Sequence, residues 1–238
     1  MRLRLPALLL AGLAAAPAPS QPPARPAVPP VSPQPAQRAL VLARIIAPAS
    51  LLVDKEVAEA RRSFESAIAE SPRARAAEAA HPGLYAFAWR ETEPLMRSLS
   101  QASQEALHRK LAAMLSARLT GEETEALIAY YSSPLGQRGI RASIAGIRVQ
   151  PDGRPPAATP GLAERVAKET LGSMTAADEA VVLELGRHIG IEKFRAVGAE
   201  VQRIELEAVV EAEPVIQARI GAALQEAMNR YVTRARRR

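Results

Sequence analysis

The apolar residues of this chain recur every three to four positions, and this spacing limits the folds open to it more than any other feature. Between Ala102 and Leu119 they form one stripe, made of Leu107, Leu111, Met114, Leu115 and Leu119. Such a stripe is typical of the buried face of an amphipathic helix. No segment shows sustained alternation of apolar and polar residues, and aromatic residues make up only 3% of the chain, too few for a β-sandwich or barrel. The sequence therefore predicts an all-α protein, a helical bundle built from helical hairpins.

The side chains that most catalytic and metal centres need are missing or scattered. The 238 residues include no Cys, which excludes a disulfide, an iron–sulfur cluster, thiolate zinc and a cysteine nucleophile. His81, His108 and His188 match no metal-binding spacing, and we expect them to be exposed or at helix ends. The sequence has no glycine-rich phosphate loop, dinucleotide fingerprint or GxSxG motif. We therefore expect no cofactor, no metal and no catalytic residue, so that the protein is not an enzyme; a hydrolase is the less favoured alternative.

The first twenty residues have the pattern of a secretory signal peptide. Arg2 and Arg4 precede an uncharged apolar stretch, and small residues lead to a cleavage site after Ser20. The apolar stretch is shorter than the roughly 20 residues that a permanent membrane span requires, although an uncleaved anchor shares the pattern. We expect residues 1–20 to be removed and the mature protein to be periplasmic or secreted.

Proline-rich stretches divide the rest of the chain. Residues 21–36 are predicted to be a disordered tether, because each Pro lacks a backbone donor and fixes φ. Residues 37–149 are predicted to form a helical domain with the first hairpin. Another Pro-rich stretch, 150–160, is the expected linker. Residues 161–238 then form a second helical segment that packs on the first and begins with a short helix over 161–171.

Single prolines are expected to interrupt individual helices. Pro48 should separate the first two helical patterns. Pro94 should bend a helix that runs from Leu84 to Leu99, and a separate helix should follow over 102–119. Pro214 should divide the last helical pattern of the chain.

Two helix starts carry the same capping signal. Thr120 suits the N-cap position, and Glu123 can return a hydrogen bond to its backbone N–H, which completes a capping box. Thr175 and Asp178 repeat this pattern fifty-five residues later. The recurrence suggests an internal duplication of a helical hairpin. Such caps also recur by chance, so both explanations stay open.

The first capped helix ends in a sharp junction. Ser133 can cap the next helix, and Pro134 fits its first position. Gly136 and Gly139 follow with almost no side-chain bulk, so a neighbouring helix could approach closely. In the proposed repeat, Gly190 is the counterpart of Gly136.

These residues resemble a known family motif. A threonine–acid helix start at Thr120 is followed by Tyr-Tyr-Ser-Ser-Pro-Leu-Gly-Gln over Tyr130–Gln137. This order is similar to the motif of the bacterial secreted domain-of-unknown-function family 2059 (DUF2059), best over Gln37 to about Ile147 and weakly toward Phe194. The resemblance implies an all-helical exported protein in a family without an established enzymatic activity.

One surface of the first hairpin is the candidate site. Tyr131 faces the core by periodicity, which leaves Tyr130 for a groove between hairpins, where an amphipathic ring suits binding. The candidate partner or ligand surface consists of Tyr130, Ser133, Pro134, Gly136 and Gly139.

Two functions fit these features. The favoured one is a non-enzymatic envelope module that binds an unknown envelope protein or associates with itself. The alternative is a helical carrier of an apolar small molecule or lipid. The formal charge of +6 falls to about +4 without the leader, and four arginines lie near the C-terminus: Arg234, Arg236, Arg237 and Arg238. They suit the negative end of a helix dipole or an anionic partner, and we expect no nucleic acid and no permanent membrane span.

Overall fold

The computed structural model describes residues 35–146 and 174–235, and all regular secondary structure in these ranges is α-helical. The helices are α1 (Pro35–Ile46), α2 (Ala49–Glu70), α3 (Pro72–Ala80), α4 (Leu84–Arg118), α5 (Gly121–Ser132), α6 (Pro134–Gly146), α7 (Ala176–His188) and α8 (Ile191–Ala235). The all-α prediction is confirmed. The predicted signal peptide, the tether as far as residue 34, the linker and the short helix over 161–171 lie outside the described residues.

The two longest helices, α4 with 35 residues and α8 with 45, form the frame of the fold. They run antiparallel, because the end of α4 meets the beginning of α8 and the beginning of α4 meets its end. Arg118 Nε lies 3.0 Å from Glu200 Oε2. At the opposite end, the Tyr231 hydroxyl donates to the Pro82 carbonyl oxygen. At 1.5 Å per residue, α4 alone is about 50 Å long, and α1, α2 and α3 also pack against it.

Two of the expected helix interruptions are wrong. The predicted break between Leu99 and Ala102 does not occur, since α4 continues through it with Pro94 in its interior. Likewise, Pro214 lies within α8 and does not divide it. A proline removes one helical hydrogen bond, but packing along a partner helix supplies most of the stability of a helix within a protein. The break at Pro48 is confirmed, because α1 ends at Ile46 and α2 begins at Ala49.

The buried apolar residues form two clusters along α4. The larger one joins α4 to α1, α5, α6, α7 and α8, and its most buried large side chains are Leu42, Leu107, Leu111, Leu115, Leu135 and Ile140. The smaller one lies toward the beginning of α4 and contains Val53, Val57, Ala60, Trp89 and Met96. Between the two, α4 buries Ser100 and Gln104. A polar layer therefore separates a closed core from a smaller apolar cluster.

His108 corrects the expectation that the histidines are exposed or at helix ends. It lies inside α4, is only 4% exposed, and its Nε2 atom is 2.6 Å from the Ala47 carbonyl oxygen. Ala47 follows the last residue of α1, where carbonyl groups lose their helical partners. A buried imidazole at this point satisfies one of them. His81 and His188 do lie at helix ends.

Residues 36–70 are, among those described, the one segment long and apolar enough to cross a membrane by length and composition alone. They comprise most of α1 and all of α2. Leu42 and Leu52 of this segment belong to the larger core cluster, so the same apolar residues pack against the rest of the fold.

Candidate functional site

Both predicted capping boxes are present. At the start of α5, Thr120 Oγ1 accepts from the Glu123 N–H at 3.2 Å, and Glu123 Oε2 accepts from the Thr120 N–H at 2.7 Å. At the start of α7, Thr175 Oγ1 accepts from the Asp178 N–H at 3.2 Å, and Asp178 Oδ2 accepts from the Thr175 N–H at 2.9 Å. Both helix starts therefore use the same local chemistry.

Each capping acid also forms an ion pair with a basic residue of the other hairpin. Glu123 of α5 pairs with Lys193 in the first turn of α8 at 2.6 Å, and Asp178 of α7 pairs with Arg138 of α6 at 2.9 Å. Desolvation opposes ionisation of Glu123, but hydrogen bonds from Lys193 and the Thr120 N–H outweigh it and lower the pKa. This reciprocal exchange is consistent with a duplicated hairpin, which stays a prediction.

The α5–α6 junction is built as its sequence predicts. The Ser133 hydroxyl accepts from the Gly136 N–H at 3.1 Å and donates to the Tyr130 carbonyl oxygen at 2.6 Å. Pro134 is the first residue of α6, where a missing N–H costs no helical hydrogen bond. Ser133 thereby caps one helix while it satisfies a carbonyl of the other, which fixes the angle between them.

The backbone of α6 lies so close to that of α5 that only glycine fits at position 136. A Cβ atom at this position would lie 2.2 Å from the Tyr130 carbonyl oxygen and 2.6 Å from the Tyr131 Cα atom. At Gly190 a Cβ atom would meet nothing within 4 Å. Gly190 also precedes the first residue of α8, whereas Gly136 lies inside α6. The expected equivalence of the two glycines is therefore wrong.

The groove-facing position expected for Tyr130 is also wrong. Tyr130 is 6% exposed and Tyr131 is 5% exposed, and their rings meet edge-to-face with centroids 4.9 Å apart. Periodicity suggested one buried stripe on α5, but α1, α6 and α7 all pack against this helix. Its buried arc is wide enough to include both rings.

The other members of the predicted surface are mostly covered as well. Gly136 and Gly139 are buried, Ser133 is partly buried, and Pro134 is exposed. The structure thus brings all five residues together at one junction, but it leaves no exposed ring there. The binding role of this surface stays a prediction.

A cleft of about 310 Å³ lies elsewhere, between α2, α4 and α8. Helices α2 and α8 both pack on α4, and α4 forms the floor between them. The larger apolar side chains of this α2–α4–α8 cleft are Phe64, Trp89, Met96, Ile216, Ile220 and Leu224. The Phe64 and Trp89 ring centroids are 5.6 Å apart. The volume is at the lower end of the ~300–1,000 Å³ typical of small-molecule sites.

Polar groups converge on one part of this cleft. Glu56, Ser100 and Ser103 line it, and the Gln104 amide donates to Glu56 Oε1 at 3.3 Å. Burial raises the pKa of Glu56 to about 7, against hydrogen bonds from Ser100 and Gln104 that lower it. No group of three or more metal-ligating side chains occurs within residues 35–146 and 174–235. The cleft thus combines an apolar wall with an ionisable carboxyl group.

Sequence reasoning missed this site, although α2 carries a signal for it. The apolar face of α2 that contains Val53, Val57 and Ala60 also includes Glu56 and Glu59. Charged residues are rarely buried without a purpose or a partner. Glutamates within an apolar helical stripe therefore indicate a polar site.

The family comparison falls on the other part of the molecule. Residues 105–145 match the family model described as "Uncharacterized protein conserved in bacteria (DUF2059)". Over this segment the chain is DUF2059-like. The match covers the last part of α4, all of α5 and nearly all of α6. No curated protein and no solved structure matches the chain. The described residues that line the α2–α4–α8 cleft all lie outside the DUF2059 segment.

Proposed function

We propose that this protein is a non-enzymatic binding protein that takes an apolar small molecule into the α2–α4–α8 cleft. The observation that carries this proposal is the cleft itself, about 310 Å³ in volume and walled by aromatic and aliphatic side chains. Sites for small molecules are commonly concave and apolar with few polar groups, and they often lie between the helices of a bundle. The carrier function therefore ranks above binding at the α5–α6 junction.

The residues of the cleft support binding more than catalysis. Most of its described lining is apolar, and Ser100 donates a hydrogen bond to Glu56. This contact holds the carboxyl group in place beside the apolar wall. The two acidic residues of the lining, Glu56 and Glu213, lie on different helices and suit ligand recognition.

The test uses a neutral fluorescent probe, N-phenyl-1-naphthylamine. Trp89 is the single tryptophan of the chain and lines the cleft, so energy transfer from it to the probe reports binding there. Ala212→Phe should fill the cleft from α8 and reduce probe binding at least about tenfold, a loss of ~1.4 kcal/mol. Ala222→Phe is the matched control, because Ala222 is an exposed alanine of the same helix outside the cleft lining. Equal binding by both variants would contradict the proposal.

We also propose that the protein acts outside the cytoplasm. The support is the pattern of Arg2, Arg4 and an apolar stretch that ends near Ser20. N-terminal sequencing of the envelope fraction should find a chain that begins near Gln21. Intact Met1 on cytoplasmic protein would contradict this location.

Self-association through α8 is a second candidate. Leu206 and Val210 lie one turn apart on this helix and are both exposed, and exposed apolar residues of this kind favour a protein contact. Sedimentation velocity should then show an oligomer that Val210→Asp dissociates. A monomer at all concentrations would contradict self-association without affecting the carrier proposal.

A further inference from the structure

We infer that the α2–α4–α8 cleft selects an organic amine, with its ammonium group at Glu56 and its apolar part against Phe64 and Trp89. This inference rests on the proposed carrier function and names the ligand class. It is carried by the placement of the Glu56 carboxyl group in the same cleft as an aromatic wall.

The charge of the lining favours a cation. Glu56 and Glu213 are the ionisable residues among the described residues that line the cleft, and none of these is Lys, Arg or His. A carboxylate or phosphate head group would meet like charge, which is costly when water is excluded. Fatty acids and phosphorylated ligands are therefore disfavoured, and a cationic head group is favoured.

The acceptor that a ligand in the cleft can reach is the Glu56 carboxyl group. Glu56 lines the cleft, and the Gln104 amide donates to its Oε1 atom at 3.3 Å. Glu59 lies one turn beyond Glu56 on α2 but is not part of the described lining, and its Oε1 atom lies 3.8 Å from Lys55 Nζ. A primary ammonium group carries three N–H donors and no acceptor, which matches the carboxyl group of Glu56.

The aromatic wall suits the same ligand. Phe64 and Trp89 both line the cleft, and the Trp89 indole N–H donates to Glu93 Oε2 at 3.1 Å, which holds the ring in place. The apolar part of an amine would pack against these two rings and against Met96 and Ile220, which also line the cleft.

Competition with the neutral probe tests the ligand class. Octylamine, octyltrimethylammonium, octanol and octanoate share one chain and differ in the head group. We expect octylamine to displace N-phenyl-1-naphthylamine at concentrations at least tenfold lower than octanol or octanoate, and to compete better than the trimethylated cation, which has no N–H donor. Equal or better displacement by octanol or octanoate would overturn the inference.

A carboxyl variant locates the head group. Glu56→Gln keeps the shape of the side chain and should weaken octylamine binding about tenfold, and binding of the neutral probe by less than twofold. Glu65→Gln is the matched control, because Glu65 is an exposed glutamate of the same helix paired with Arg61. Unchanged octylamine binding by Glu56→Gln would overturn the assignment to Glu56.

The failures of the two proposals are distinguishable. If the neutral probe binds wild-type protein in the cleft but the amine is not preferred, the carrier proposal stands and the amine inference is wrong. If neither the probe nor any octyl compound binds, both are wrong. Circular dichroism checks the fold of each variant, and the wild-type competition decides the ligand class even if Glu56→Gln does not fold.

Discussion

The α5–α6 pair and the α2–α4–α8 cleft both contain a pair of aromatic rings, but the rings pack differently in the two regions. In the α5–α6 pair, Tyr130 and Tyr131 pack edge-to-face in the core, and the backbone of Gly136 lies against that of α5. In the cleft, Phe64 and Trp89 also lie ring against ring, but they border an open space. Aromatic rings fill the first region completely, whereas in the second they leave a cavity.

This difference suits the finding that the recognisable motif and the described cleft lining share no residue. The DUF2059 segment, residues 105–145, contains the junction in which backbone atoms touch and few side chains fit. Such geometry restricts residue identity strongly, and it produces a short, ordered motif. The cleft tolerates any apolar residue of suitable size along its walls, so it leaves no comparable motif. The contacts at this junction give the motif a packing reason, whichever ligand or partner the protein binds.

The largest expected effect comes from truncating an aromatic ring on each side. Tyr130→Ala should destabilise the fold by about 3–5 kcal/mol, as buried aromatic truncations do. Phe64→Ala should cost less, about 1–2 kcal/mol, because its partly buried ring already borders a cavity. Urea denaturation of the two variants measures both values. A smaller loss for Tyr130→Ala than for Phe64→Ala would break the distinction between a closed core and an open cleft.

The next largest effect should come from adding one methyl group at a glycine, which should change stability in opposite directions at two positions. Gly136→Ala places a Cβ atom against the α5 backbone and should cost about 3 kcal/mol, since backbone atoms cannot move aside as side chains do. Gly221→Ala in α8 is the control, because a Cβ atom there meets nothing within 4 Å. It should stabilise the protein by up to ~1 kcal/mol through helix propensity. Thermal melts with opposite shifts are expected; a neutral Gly136→Ala would show that the junction can relax.

Local chemistry could be predicted from the sequence, but the arrangement of helices could not. Thr120, Ser133 and Pro134 act within a few residues of their own positions, so their pattern was sufficient to identify the caps and the junction. The break after Leu99 and the division at Pro214 were wrong predictions because packing between α4 and α8 outweighs local signals that end a helix. The side of α5 that stays exposed depends on three neighbouring helices, and the cleft depends on where α2 and α8 meet α4. Neither follows from periodicity along one helix.

The pH dependence of stability should distinguish the two regions through their buried glutamates. Burial raises the pKa of Glu205, in the closed core, from 4.5 to about 8, and that of Glu56, in the cleft, to about 7. The folded state then binds more protons than the unfolded state above pH 4.5, so the free energy of unfolding falls as pH rises toward 8.

We expect a decrease of about 2 kcal/mol between pH 6.5 and 8 for wild-type protein. Glu205→Gln should remove most of this decrease, and Glu56→Gln a smaller part. Denaturant titrations at the two pH values measure the difference. Stability that rises over this range in wild-type protein would contradict the sign of both pKa shifts.

The smallest expected effect compares one cap on each side of the molecule. Thr120 caps α5, whose buried residues belong to the large core, and Ser71 caps α3 by accepting from the Ala74 N–H at 3.2 Å. Loss of an N-cap typically costs about 1 kcal/mol. Helix α3 has no buried residue, so its local unfolding exposes little apolar surface and is only weakly coupled to global unfolding.

Thr120→Ala should therefore lower the global free energy of unfolding by about 1 kcal/mol, and Ser71→Ala by less than half as much. Hydrogen exchange should instead show faster opening of α3 in Ser71→Ala. Equal global losses would mean that α3 unfolds together with the core, and that the cleft side of the molecule is as cooperative as the α5–α6 pair.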